Sequence, residues 1–252
     1  MAEEGEARVI DLPGDDRVDA ALYAFLIGVG GYLGIQFGVL AIALPVDVAV
    51  GGLGDIWLNV VGGVGTGIGA VAFAAIYFEH SRHDADFLDL DPPGLRDVGY
   101  VVGGIVLLTL TLLGISVLAS ELGVTFSQHS LEEQAREGDE RLLLLMIPIS
   151  ILFIGPGEEL VFRNIVQKRL AEQFSTLGAI GVASVIFALI HITAYAGGSP
   201  AQVVGSLGIV FTLSVLLGWI YARTEKLLVP ALVHGVYNAI QFGWLYVEIV
   251  GV

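Results

Sequence analysis

Seven stretches of this chain are each long and apolar enough to cross a lipid bilayer. They cover roughly 20–44, 56–78, 98–119, 142–172, 175–196, 201–222 and 228–250, against the ~20 mostly apolar residues that a spanning helix needs. The fourth is long and apolar only in its first half. The chain is 55% hydrophobic with a mean hydropathy of +0.81, far above a soluble domain. The expected fold is therefore all-α, a polytopic membrane helical bundle of about seven transmembrane helices. Residues 1–19 are expected to be a polar N-terminal tail and 20–252 a single transmembrane domain. The tail is acidic and lacks the basic-then-apolar order of a cleaved signal.

Charge narrows the function. The net charge is −15, from 26 acidic and 11 basic residues, which excludes a basic face for nucleic acid. Lys168 and Lys226 are the only lysines. Acid excess with scarce lysine suggests a halophilic host, because an acidic surface stays hydrated in high salt. There is no cysteine, so disulfides, thiolate metal sites and a thiol nucleophile are absent.

If seven helices alternate, Arg8, Arg17, Arg82, Arg96, Arg163, Lys168, Arg169, Arg223 and Lys226 fall on one side, and only Arg136 and Arg141 on the other. Positive residues stay in the cytoplasm. The N-terminus is thus expected inside and the C-terminus outside. The outside segment 120–141 is acidic and expected to be a solvated loop, in part helical. The inside loop carries His80, His83 and four aspartates before Pro92. It is read as solvated, with a weak cation site as the alternative. The glycines of "GVGGYLG" and "GGVGTGIGA" suit close helix packing.

Ionisable side chains inside a membrane are costly and ask for a partner or a task. Here they are Glu158, Glu159, Arg163, His191 and His234, with Asn238 as a neutral companion. Glu159 and Arg163 are four residues apart, on one helical face, within reach of an ion pair. Glu158 is turned ~100° away and is the carboxylate left over. The preceding Gly155-Pro156-Gly157 either restarts the helix, aiming free N–H groups at Glu158, or only kinks it. Phe187 and His191 are four apart, as are His234 and Asn238, so each pair can face one cavity. Counted along their helices, Glu158 and His191 share a depth near mid-membrane. His234, about six residues into its helix, is expected to be shallower unless that helix is tilted or starts earlier.

The stretches "EELVFR", "FALIH" and "HGVYN" resemble the three ordered motifs of the CPBP family, the CAAX proteases and bacteriocin-processing enzymes also called Abi proteins. The resemblance covers about 142–240 and implies an intramembrane endopeptidase domain. It implies that Glu158 is the general base activating water, that His191 holds that water, and that His234 and Asn238 stabilise the oxyanion. Glu159, Arg163 and Phe187 would then be structural or substrate-binding. The residue after the arginine, often glycine in the family, is Asn164 here.

General-base work suits a buried carboxylate. Catalysis is either metal-free or uses zinc on Glu158, His191 and His234, a His-His-carboxylate set with an open position. The expected partners are membrane lipid and a peptide or protein substrate, which the family name suggests is lipidated. Two other classes compete: a non-catalytic scaffold or immunity factor of the same fold, and a proton-coupled transporter with a buried His/Glu relay. Metalloprotease His-Glu-x-x-His and a rhomboid-type Gly-x-Ser-x-Gly are absent. "GLGD" at 52–55 and "PAL" at 230–232 resemble presenilin-type motifs, but the partner Tyr-Asp is missing.

Overall fold

In hydrocarbon, backbone N–H and C=O groups must be satisfied within the segment itself, which leaves the helix as the natural form for isolated apolar runs. A computed structural model describes residues 16–251 except 82 and 84. The expected polar tail lies outside the described residues apart from 16–19, which open the first helix. Among the described residues there is no strand.

The helices are α1 Asp16–Val50, α2 Asp55–His80, α3 Leu95–Leu122, the short α4 Ser130–Glu137, α5 Arg141–Leu170, α6 Thr176–Ile190, α7 Pro200–Thr224 and α8 Leu228–Val250. A 3-10 turn, His191–Tyr195, extends α6. Six of these segments are long and apolar enough to span a membrane: α1, α2, α3, α5, α6 with its 3-10 turn, and α7. Helix α8 has the length, at 23 residues, but His234, Asn238, Gln241 and Glu248 make it less apolar. The chain is a multi-pass membrane protein.

Among the described residues, the basic side chains outside the core gather at one end of the bundle, the basic end, where acidic residues accompany them; the other, acidic end has only Arg136 and Arg141. At the basic end, the linker between α2 and α3 folds inward. Asp89 accepts from Lys168 Nζ at 2.7 Å and from Asn164 Nδ2 at 3.2 Å, and it also bonds the Tyr221 hydroxyl. Lys226 pairs with Asp97 at 2.7 Å. This linker, expected to be solvated, is in part a buried polar clasp, and Asn164 is one of its posts. Among the described residues no group of three His, Asp or Glu could hold an ion, here or elsewhere.

The Gly-Pro-Gly stretch does not restart a helix. Backbone angles stay right-handed through Gly155 (φ −53, ψ −57) and Leu160 (φ −57, ψ −48). The chain instead widens into π-helical turns over Ser150–Ile154 and Leu160–Gln167. Proline lacks an N–H and crowds the carbonyl four residues back, and the wide turn before Pro156 accommodates that. Of the two alternatives for this stretch, the restart that would aim free N–H groups at Glu158 is not the one observed.

The glycines serve closeness. A Cβ on Gly235 of α8 would lie 2.7 Å from Ile151 Cα, and one on Gly155 would lie 2.8 Å from Ala231 O. Ser150 Oγ donates to Gly235 O at 3.1 Å across the same crossing. A Cβ on Gly157 would meet Gly67 Cα of α2 at 3.0 Å. Helix α5 is thus gripped backbone-to-backbone on two sides, at the turn that carries the paired glutamates.

Candidate active site

Three helices bring their polar residues together. Glu158, Glu159 and Arg163 come from α5, Phe187 and His191 from the end of α6, and His234 and Asn238 from α8. Two irregularities set the depth. Helix α6 has only 15 α-helical residues, about 22 Å at 1.5 Å per residue, short of a ~30 Å hydrocarbon core. Its last turn, with His191, therefore ends inside the bundle. Helix α8 starts deep, because Leu227 N–H donates to Asp89 O at 2.8 Å and Asp89 is held by Asn164, well before the end of α5 at Leu170. That deep start brings His234 level with the glutamates and answers the depth mismatch expected from counting.

At the centre, Glu159 and Arg163 are both 0% exposed, with Nε 3.0 Å from Oε2. Arg163 Nη2 also donates to Ser214 Oγ of α7 at 3.2 Å, and its guanidinium lies 4.9 Å from the Phe187 ring centroid, a cation–π contact. The pair is not isolated, however. His234 Nδ1 lies 2.9 Å from the other Glu159 oxygen, and its Nε2 lies 3.9 Å from Glu158 Oε2. One imidazole spans the two adjacent carboxylates. The self-neutralising pair expected from spacing is a chain of Ser214, Arg163, Glu159 and His234 that ends at Glu158.

Glu158 differs sharply from its neighbour. Its side chain is 17% exposed and makes no hydrogen bond to a described residue. His191 is half-buried, its Nδ1 2.7 Å from Phe187 O. Since a carbonyl only accepts, Nδ1 carries the proton and Nε2 presents a lone pair. Phe187 packs against His191 at 4.5 Å, His234 at 6.2 Å and Phe162 at 5.1 Å between ring centroids. It walls the cleft and orders three polar groups at once. Asn238 is half-buried, one turn beyond His234, and its side chain bonds no described residue.

Sequence reading missed Ser214, one of several hydroxyls on α7 and without a spacing signal toward Arg163. It also missed the acidic-end segment described below. The presenilin-like pieces do not meet: Asp55 opens α2 at the acidic end, and Pro230 lies in the first turn of α8 at the basic end.

Residues 140–240 match the family model of Rce1-like type II CAAX prenyl endopeptidases. This is the CPBP group that the three motifs resemble, and the match extends from the start of α5 to the middle of α8. All seven residues of the cleft lie within the Rce1-like region. Of the helices that precede it, α1 and α2 pack against α5, α3 packs against α7 and α8, and α4 belongs to the segment over the acidic end. No curated protein and no solved structure matched the chain.

Proposed function

We propose that the chain is an intramembrane endopeptidase in which Glu158 activates water against a peptide carbonyl. The observation that carries this is the unequal state of two adjacent carboxylates. Glu159 is fully buried, ion-paired with Arg163 and hydrogen-bonded to His234, while Glu158 is 17% exposed and makes no hydrogen bond to a described residue. In the proposed step, Glu158 takes a proton from water as the oxygen attacks the carbonyl carbon. Glu158 then returns that proton to the leaving amine as the C–N bond breaks. His191 holds the water by accepting its other O–H at Nε2. His234 and Asn238 donate to the oxyanion. For that, His234 must carry a second proton on Nε2, with Glu159 as its counter-charge.

The Rce1-like match supports a substrate presented from the membrane, and a prenylated Cys-a-a-X peptide is the first to try. The test is cleavage by purified protein in liposomes. Wild type cuts, and Glu158→Gln, folded and inserted, does not. Undiminished cleavage by that variant would overturn the assignment to Glu158, and a wild type that cuts nothing would favour the scaffold or transporter readings.

A zinc reading has one observation in its favour. Both histidines have Nδ1 tied, to a carboxylate and to a carbonyl, and turn Nε2 to the cleft, as metal-bound imidazoles do. Glu158, His191 and His234 would hold the ion, which would polarise water and carbonyl. Their present separation does not make a ligand group. Cleavage is expected to survive a strong chelator, and loss restored by zinc would transfer the assignment to metal catalysis. By the positive-inside rule, the basic end is assigned to the cytoplasm.

A further inference from the structure

The acidic-end segment 124–137 is strapped across the bundle. Asn59 Nδ2 donates to Gln134 Oε1 at 2.7 Å, and Arg136 Nη2 donates to Glu248 Oε1 at 2.8 Å. Gln202 Nε2 donates to Thr125 Oγ1 at 3.0 Å, Ser206 Oγ to Ser127 O at 2.9 Å, and Ser127 Oγ to Tyr195 O at 2.6 Å. These bonds tie it to α2, α7, α8 and the 3-10 turn that also holds His191.

The strap brings in a third histidine. The His129 ring stands edge-on to Tyr195, centroids 5.3 Å apart, at the far end of the turn that begins with His191. Tyr195 closes the 3-10 turn that begins with His191, and its carbonyl accepts from Ser127 Oγ of the strap, so it links strap and cleft. His129 Nδ1 accepts from Leu131 N–H at 3.1 Å. The proton of the neutral ring is thereby placed on Nε2, which bonds no described residue. Burial, and then His191, push its pKa down to about 4, so the ring stays neutral at neutral pH.

We propose that His129 is a peptide-binding residue: its Nε2–H donates to a backbone carbonyl of the substrate at the acidic-end side of the scissile bond. This rests on the endopeptidase reading above. The ring also caps α4, and the two roles separate by mutation. His129→Asn keeps an acceptor for the Leu131 amide, since asparagine is a strong N-cap, but it removes the Nε2–H that the proposal assigns to the substrate.

The experiment measures kcat and KM in liposomes on a mixture of synthetic peptides, prenylated and unprenylated, with products read by mass spectrometry. His129→Asn is expected to melt with wild type and to raise KM about five- to tenfold, with kcat within about twofold, as loss of one neutral hydrogen bond in uniform binding predicts. A wild-type KM in His129→Asn overturns the proposal and leaves the ring a cap. A fall in kcat at constant KM overturns it too. If Glu158→Gln is inactive in the same assay, only the His129 proposal has failed. A wild type inert on every peptide, or an active Glu158→Gln, sinks the endopeptidase reading and the proposal with it.

Discussion

Glu158 and Glu159 are consecutive and chemically identical, yet the site demands opposite consequences from losing each. Glu159→Gln removes the only carboxylate among the described residues that pairs with Arg163, which is 0% exposed and 3.0 Å away. It also removes the acceptor 2.9 Å from His234 Nδ1. Breaking a buried pair by deleting one partner costs about 3–5 kcal/mol, because the remaining charge is stranded. At roughly 2–4 °C per kcal/mol for a chain of this size, the melting temperature should fall by about 10 °C. Glu158→Gln touches a side chain 17% exposed whose nearest cationic partner is 3.9 Å off. Its melting temperature should stay within about 3 °C of wild type, while cleavage falls by about 10²–10⁴. Thermal unfolding in detergent and cleavage of one peptide in liposomes read both quantities on the same preparations. Equal destabilisation by the two variants would refute the division into scaffold and chemistry, as would a Glu158→Gln enzyme that still cuts.

The crossing of α5 and α8 gives a second test. Gly235→Ala places a methyl 2.7 Å from Ile151 Cα and Ser150 O, so the helices must part. A cost of about 1–3 kcal/mol is expected, with a drop in activity that the stability loss alone does not explain, because His234 is the adjacent residue. Orientation is testable because the chain lacks cysteine. Single cysteines replacing Glu225 at the basic end and Glu133 in the strap should label with a membrane-impermeant maleimide from the cytoplasmic and outer sides respectively. The reverse pattern would invert the topology.

Most of the framework was legible because a bilayer imposes length and polarity rules that a sequence displays directly. The seven apolar runs reappear with boundaries shifted by a few residues, and Glu159 pairs with Arg163 as four-residue spacing requires. What escaped reading depends on non-local contacts. Gly155-Pro156-Gly157 looks like a helix breaker, yet wide turns absorb the proline while Gly155 and Gly157 admit the backbones of α8 and α2. The linker with Asp89 looks like any acidic loop. Its burial arises only when Asn164, Lys168 and Tyr221 converge on it from two helices. The strap was read as a solvated face because its acidic residues dominate its composition. The buried Ser127 and the inward His129 carry no periodic signal.

The clasp and the cleft are mechanically one unit. Spacing on α5 alone leaves Glu158 as a spare carboxylate. What makes it distinct is the His234 ring, which the α5–α8 crossing at Gly235 and the Leu227–Asp89 hydrogen bond at the start of α8 bring beside it. With Nδ1 committed to Glu159, the ring has a single remaining nitrogen to offer, and it faces Glu158. In the proposed reaction that nitrogen must be protonated when the oxyanion forms, so the proton state of the Glu158–His234 pair, and not that of Glu158 alone, defines the competent enzyme. Asn164, the residue that departs from the resembled motif, then acts at a distance. Together with Lys168 and Tyr221 it holds Asp89, whose carbonyl accepts from Leu227 N–H at the start of the helix that carries His234.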